Sequence, residues 1–414
     1  MEELIQKARS VKKASIKLQS VSTVQKNEAL LQIGAALKRK EDAILKANKM
    51  DVKEARDKGI RDSLIDRLAL NQKRIDDMIQ SCHRVAGLKD PVGEVIASWV
   101  QSDGLRISKV RVPIGAIGII YESRPNVTVE ASILALKTGN SILLRGGSDA
   151  FHSNMAIVKA IKEGLSRSSL PVESIEIVES TDRKLVEQML KLREYLSLIV
   201  PRGSNRLIQY VVENSSIPVL ETGVGNCHIF VDDSADLEKA LEIVDNAKTQ
   251  RPGTCNAVET LLVHQSIAAA FLPMMADRLS KKGVEIRGCS QTQKFIKVKP
   301  ATDSDWETEF LDLILAVRVV NSLDEAIAHI QKYSSGHSEA ILTENYFNAK
   351  KFVENIDAAA VYVNASTRFT DGGQFGFGGE IGISTQRLHA RGPVGLEGLT
   401  TYKYVILGDY NVRR

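Results

Sequence analysis

The spacing of apolar residues divides the chain into three textures. From Thr23 onward, Ala29, Leu30, Ile33, Ala36, Leu37, Ile44 and Leu45 recur at three- and four-residue intervals, which lines them along one helical face. Shorter stretches with the same period run from Ser63 to Leu70 and from Ile75 to Val85, so the first ~110 residues read as helices. From Lys109 the period shortens: Val110 and Val112 alternate with charge, and Ile114 to Tyr121 is a continuous apolar run. Short apolar runs follow at Ser141 to Leu144, Ile175 to Val178, Leu196 to Val200 and Pro218 to Glu221, each separated by a helical stretch. Strands apolar on both faces, alternating with helices, predict a parallel sheet covered on each side.

A second alternating block begins near Cys227. It predicts strands at His228 to Val231, Thr260 to Val263, Leu311 to Val320, Ala340 to Leu342 and Ala359 to Val363, with a helix over Asp236 to Ala247. After Asn364 the chain turns Gly-rich, and Tyr402 to Leu407 reads as an edge strand. The expectation is two α/β domains with an active site between them, because parallel sheets bind ligands at the carboxyl ends of their strands.

Composition narrows the class. The 414 residues suggest two or three domains, and 43% hydrophobic with 26% charged residues excludes disordered, collagen-like and disulfide-scaffold chains. Lys plus Arg is 55 against 51 for Asp plus Glu, a net charge of +4 spread without a basic block, so no nucleic-acid partner is expected. The longest uncharged run, Thr260 to Ala276, is shorter than the about 20 apolar residues of a spanning helix, so no membrane association is expected. Met1-Glu2-Glu3-Leu4 lacks the basic-then-apolar order of an export signal. Four widely spaced cysteines form neither a zinc pattern nor a disulfide framework, which points to the cytoplasm and to no metal.

The usual dinucleotide fingerprint is missing, as are a Walker loop, a paired-His metal helix and a G-x-S-x-G elbow. Arg145-Gly146-Gly147-Ser148 lies between a buried strand and a helix, where it reads equally as a phosphate-binding turn or as a plain turn. Among the thiols, Cys255 stands out. Lys248 and Arg251 precede it and favour a thiolate, and Gly253 lets backbone N–H groups converge beside the sulfur. Cys227 is a weaker rival, and a lone cysteine is also commonly a small buried hydrophobe.

These motifs together resemble the aldehyde dehydrogenase superfamily. Glu221-Thr222-Gly223-Val224-Gly225 precedes Cys255 as the superfamily's E-L-G-G precedes its catalytic Cys, and Pro125-Asn126 is similar to P-W-N. Glu309-Phe310 resembles the start of E-I-F-G-P, and Phe375-Gly376-Phe377-Gly378-Gly379 resembles the late F-G-G motif. Within the superfamily, Tyr121 to Asn126, Thr249 to Asn256, His329 to Glu339 and Asp371 to Phe377 are similar to the branch that reduces γ-glutamyl phosphate. The likeness covers almost the whole chain. One departure is that Arg145, followed by Gly-Gly-Ser, replaces the superfamily's cofactor Lys in K-P-A-E.

The resemblance implies two Rossmann-like parallel α/β domains with a β-strand oligomerisation element. Residues 1–223 would hold the N-terminal helices and cofactor domain, with an oligomerisation strand at 97–113; residues 224–377 would be the catalytic domain, and 378–414 a return segment ending in an association strand. It implies NADPH-dependent reduction of L-glutamyl 5-phosphate to L-glutamate 5-semialdehyde through a thioacyl group on Cys255, the second step of proline biosynthesis. Asn126 would support the oxyanion; Glu221 would activate the thiol or relay a proton, or else serve as a strand-end structural carboxylate. Arg145, Gly146, Gly147, Ser148 and Glu309 would hold the cofactor, and Arg124, Lys248, Arg251 and Arg368 the anionic ends of the acyl phosphate. A homo-oligomer is expected, and association with glutamate 5-kinase is open. The competing readings are an oxidative dehydrogenase for another small aldehyde and a non-catalytic relative.

Overall fold

The computed structural model describes residues 2–60 and 62–413, with the side chains of 62–64 excepted. The chain separates into two compact units. The first comprises Met1–Thr222, Gly376–Gly382 and Leu388–Arg414, and the second Gly223–Phe375 and Ile383–Arg387.

In the first unit, helices Thr23–Arg39, Glu41–Asp57 and Gln72–Gly87 bury residues of the expected apolar pattern, and a further helix, Glu2–Leu18, precedes them. Ser22 and Gln25 form a capping box that starts helix Thr23–Arg39. Its core residues Ile33 and Leu37 pack in one cluster with Ile157 and Ile161 of helix Phe151–Leu165. The two helices meet at Gly164, where an added Cβ would lie 2.6 Å from Ile33 Cα.

The helical reading ends at Gly87. Beyond it β1 (Val95–Val100) and β2 (Arg106–Pro113) pair antiparallel as a hairpin, turned through Gly104 at φ +85°. The C-terminal strand Thr400–Leu407 pairs antiparallel with the other side of β2. Next come β3 (Ala116–Tyr121), β4 (Ser141–Gly146), β5 (Ile175–Ile177) and β6 (Leu198–Arg202), a parallel sheet in the order β5-β4-β3-β6. The strand expected at Pro218 to Glu221 is reduced to one bridge between Val219 and Ile199. Pro218 has no N–H with which to extend a ladder.

The second unit is built on seven parallel strands: β7 (Cys227–Val231), β8 (Val258–His264), β9 (Glu285–Gly288), β10 (Lys299–Pro300), β11 (Ile314–Val320), β12 (Ser338–Leu342) and β13 (Ala360–Val363). Their order is β10-β9-β11-β8-β7-β12-β13. Alternate residues feed two cores. Ile229, Leu261 and Val317 pack with Val244 and Phe271, from helices Leu237–Thr249 and Gln265–Ser280. Phe230, Leu262 and Ile341 pack with Ile330 and Phe352, from helices Leu323–Tyr333 and Tyr346–Asn355. This two-sided burial explains why the strands read as unbroken apolar runs.

β11 starts at Ile314, three residues later than the apolar pattern suggests. The preceding residues turn aside: Leu311 adopts φ +53°, and its N–H donates to Glu259 Oε1 at 3.1 Å. Among the described residues no helix is long and apolar enough to cross a membrane, and no cluster of three His, Cys, Asp or Glu could hold a metal ion.

Candidate active site

In the second unit, Cys255 occupies the loop between helix Leu237–Thr249 and β8, and it is half-buried. The loop is held on two sides. On one side Gly225 lies on the cysteine's own backbone, where an added Cβ would sit 1.6 Å from Cys255 O. No side chain fits there, so glycine is required. Cys227 Sγ donates to the same carbonyl at 3.2 Å, and Gly225 N–H donates to Glu309 Oε1 at 2.8 Å. Asn226 anchors this segment, with Nδ2 on Trp306 O and Tyr333 O at 2.8 Å each.

On the other side Arg368 reaches into the loop. Its Nε donates to Gln250 Oε1 at 2.8 Å, and its Nη1 donates to Thr254 Oγ1 at 3.0 Å and to Asn256 Oδ1. Asn256 Nδ2 returns the contact to Thr370 O at 2.9 Å. Burial, and then the positive charge of Arg251, hold the Arg368 guanidinium below its ordinary pKa, while Cys255 acts in the opposite sense. Arg251 is exposed, and its carbonyl accepts from Thr254 Oγ1 at 2.8 Å. The structure therefore brings Cys255, Arg251 and Arg368 together.

Lys248 is placed differently from a substrate-binding cation. Its Nζ is fully buried, bonded to Val258 O at 3.0 Å and to Glu259 Oε2 at 2.5 Å. Fully buried and paired with Glu259, it offers no cation at the loop's surface, and the expectation that it binds substrate is corrected. Burial lowers the pKa of Lys248 and raises that of Glu259 to about 7, each partly offset by the other's charge. Glu259 was missed by the sequence reading, although a lone carboxylate in the apolar run Val258-Glu259-Thr260-Leu261-Leu262 was a visible signal. Asn226, Thr254 and Asn256 were missed too; of these, Asn256 had the signal of adjoining the thiol.

The first unit carries the remaining residues. Glu122 follows β3 and accepts from Ser204 N–H at 2.7 Å, at the start of helix Asn205–Asn214. Ser123 takes φ +42° and donates to Asp149 Oδ2, which turns the chain through Arg124 into helix Pro125–Lys137. Asn126, in the first turn of that helix, donates to Glu130 Oε1 at 3.2 Å. Glu221 is half-buried beside Thr222, whose hydroxyl donates to Pro201 O at 2.6 Å.

Arg145 is one of the last residues of β4. Its Nη1 donates to Gly146 O at 2.9 Å and its Nη2 to Thr181 O at 3.0 Å, while its buried Nε has no partner. Burial, then the charge of Arg183, lower its pKa. At Gly146 and Gly147 an added Cβ would stand 2.2 Å from Asn154 Nδ2 and 2.5 Å from Asp149 Oδ1, so either side chain would have to move. The buried Nδ2 of Asn154 also has no partner. Two unsatisfied donors beside a two-glycine turn, at the carboxyl end of a parallel strand, fit an anionic cofactor.

A parallel seven-stranded sheet, a glycine-clamped cysteine loop and an acidic E-F segment define a class, and the comparisons agree. The chain belongs to the aldehyde dehydrogenase family, whose model matches residues 1–293 and 297–405. Within that family it is 66% identical, over the whole of both chains, to the γ-glutamyl phosphate reductase of Thermotoga petrophila. The crystal structure of γ-glutamyl phosphate reductase from Thermotoga maritima superposes with a TM-score of 0.97 at 65% identity, covering 100% of both chains. An acetylating aldehyde dehydrogenase from Geobacillus thermoglucosidasius shares the fold, with a TM-score of 0.72 at 16% identity over 100% of this chain and 98% of the other.

Proposed function

We propose that this chain is an NADPH-dependent γ-glutamyl phosphate reductase. It converts L-glutamyl 5-phosphate into L-glutamate 5-semialdehyde and phosphate, the second step of proline biosynthesis. The observation that carries the reading is the full-length identity of 66% to a protein of that name. That identity favours the reductase over an oxidative dehydrogenase for another small aldehyde.

Cys255 Sγ attacks the acyl carbon as a thiolate and expels phosphate, leaving a thioester on the protein. NADPH, when bound, would supply the hydride for reduction of this thioester. The Cys255 backbone N–H and Asn126 Nδ2 donate to the carbonyl oxygen as negative charge develops, and losing one such donor costs roughly 10²–10³ in rate. When the C–S bond breaks, the aldehyde leaves and the thiolate returns. Glu221 activates the thiol or relays its proton. Arg124, Arg251 and Arg368 hold the phosphate and α-carboxylate. Arg145, Gly146, Gly147 and Ser148 hold the adenosine end of the cofactor, with Glu309 on its nicotinamide ribose.

The protein is proposed to work in the cytoplasm as a homo-oligomer, with association with glutamate 5-kinase left open. β1 is exposed along its whole length, with Trp99 and Val100 on it, and supports assembly through sheet edges. The test of function runs the reaction backwards. With glutamate 5-semialdehyde and NADP+, NADPH should appear only when inorganic phosphate is added. Phosphate-independent production would instead favour the oxidative dehydrogenase.

A further inference from the structure

The Lys248–Glu259 pair lies behind the cysteine loop and has no part in the chemistry above. Both side chains are fully buried, and Lys248 spends its reach on Glu259 Oε2 and Val258 O. The second carboxylate oxygen, Glu259 Oε1, accepts the N–H of Leu311 at 3.1 Å. Leu311 holds φ +53°, a region that β-carbon sterics make unfavourable for leucine and that persists only when something pins it. Two residues earlier, Glu309 Oε1 accepts from Gly225 N–H, on the segment that lies against Cys255 O.

We infer that Glu259, partnered by Lys248, is a positioning residue that pins the turn at Leu311 and thereby sets the place of the Glu309 carboxylate. The inference rests on the reading of Glu309 as a cofactor ligand. Lys248 compensates the charge of a carboxylate that otherwise has no water to solvate it. The Glu259 carboxylate is used here as an acceptor for one backbone N–H. An amide oxygen of the same shape serves equally.

Two nearly isosteric double variants separate this role from a purely structural one. K248M/E259Q removes both charges and keeps an acceptor for Leu311 N–H; K248M/E259M removes the acceptor as well. Thermal unfolding checks that each folds, and NADPH affinity is read by fluorescence titration without turnover. K248M/E259Q should bind NADPH like the parent, and K248M/E259M about 10- to 100-fold more weakly, the scale on which small misplacements act. In an E309A background the K248M/E259M loss should disappear, because the changes act through one contact. Parent-like binding by K248M/E259M, or losses that multiply in the E309A background, would overturn the inference. If E309A alone leaves NADPH binding unchanged, the reading of Glu309 fails instead. Should K248M/E259M not fold, the folded K248M/E259Q carries the test, and weakened binding there overturns the inference.

Discussion

The four thiols differ in burial and in neighbouring donors, and those differences forecast their reactivity. Burial pushes Cys82 up to about 12 and raises Cys227 well above the usual thiol value. At Cys289 burial also pushes upward, but the side-chain hydroxyl and N–H of Thr292 and the N–H of Val319 outweigh it and lower the pKa. Cys255 is half-buried in its loop. Brief iodoacetamide treatment of the native protein should therefore modify Cys255 and Cys289, and Cys82 and Cys227 only after unfolding. Substrate should protect Cys255 alone. The C255A variant should lose reduction completely and melt at the parent temperature; residual turnover above the uncatalysed rate would refute the nucleophile.

A second residue sets an acid limit. His329 packs against His228, Trp306 and Tyr333, and burial, then the charges of His228 and Arg318, hold its pKa down to about 3. Unfolding releases it to its ordinary value near 6.5, so between those values the unfolded chain binds the extra proton. Its contribution to stability therefore falls as pH drops through that window. Melting curves from about pH 7 to about pH 4 should fall less steeply for H329F than for the parent. Cys255 and Arg368 were legible as residues because their motifs are local text. Lys248 was misjudged because a helix-end lysine beside a cysteine loop points inward or outward according to a partner, Glu259, that lies on the next strand.

At the scale of elements, the candidate site is assembled where regular structure stops. The turn Gly223 to Asn226 and the loop before β8 meet at the Cys255 carbonyl, and the segment before β11 joins them through Glu309 on the Gly225 N–H. Gly225→Ala should consequently abolish turnover while leaving the sheet intact. The measurement is circular dichroism beside the phosphate-dependent assay, and wild-type activity would show that the backbone gives way. Apolar runs made β3, β4, β7, β8 and β12 readable, because those strands are buried on two faces, whereas the exposed edge strand β10 carries no such signal. The late start of β11 was not readable, since Leu311-Asp312-Leu313 carries the apolar pattern of a strand while its backbone obeys Glu259. Arg145 shows the same limit: a strand-end cation beside two glycines announces an anion site, yet two of its donors hold carbonyls of its own unit.

At the scale of the molecule, the three-stranded sheet joins β1 and β2 to residues more than half the chain away. Tyr402 crosses onto Lys109, whose ammonium lies 3.6 Å from the ring centroid, and Tyr404 meets Trp99 edge-on. Ending the chain after Leu399 would strip β2 of a partner and leave a bare strand edge. Such a truncation should lose the assembled state or aggregate, as read by light scattering. An unchanged mass would remove this sheet from the proposed association.

The order in which the two units are made follows from that closure. Gly223–Phe375 is one unbroken stretch of the second unit, whereas the first unit also draws on Gly376–Gly382 and Leu388–Arg414. During synthesis the unit that begins first is thus the one that finishes last, and its sheet stays open until residues 400–407 have left the ribosome. The three-stranded sheet proposed above to carry association is therefore complete only in a finished chain.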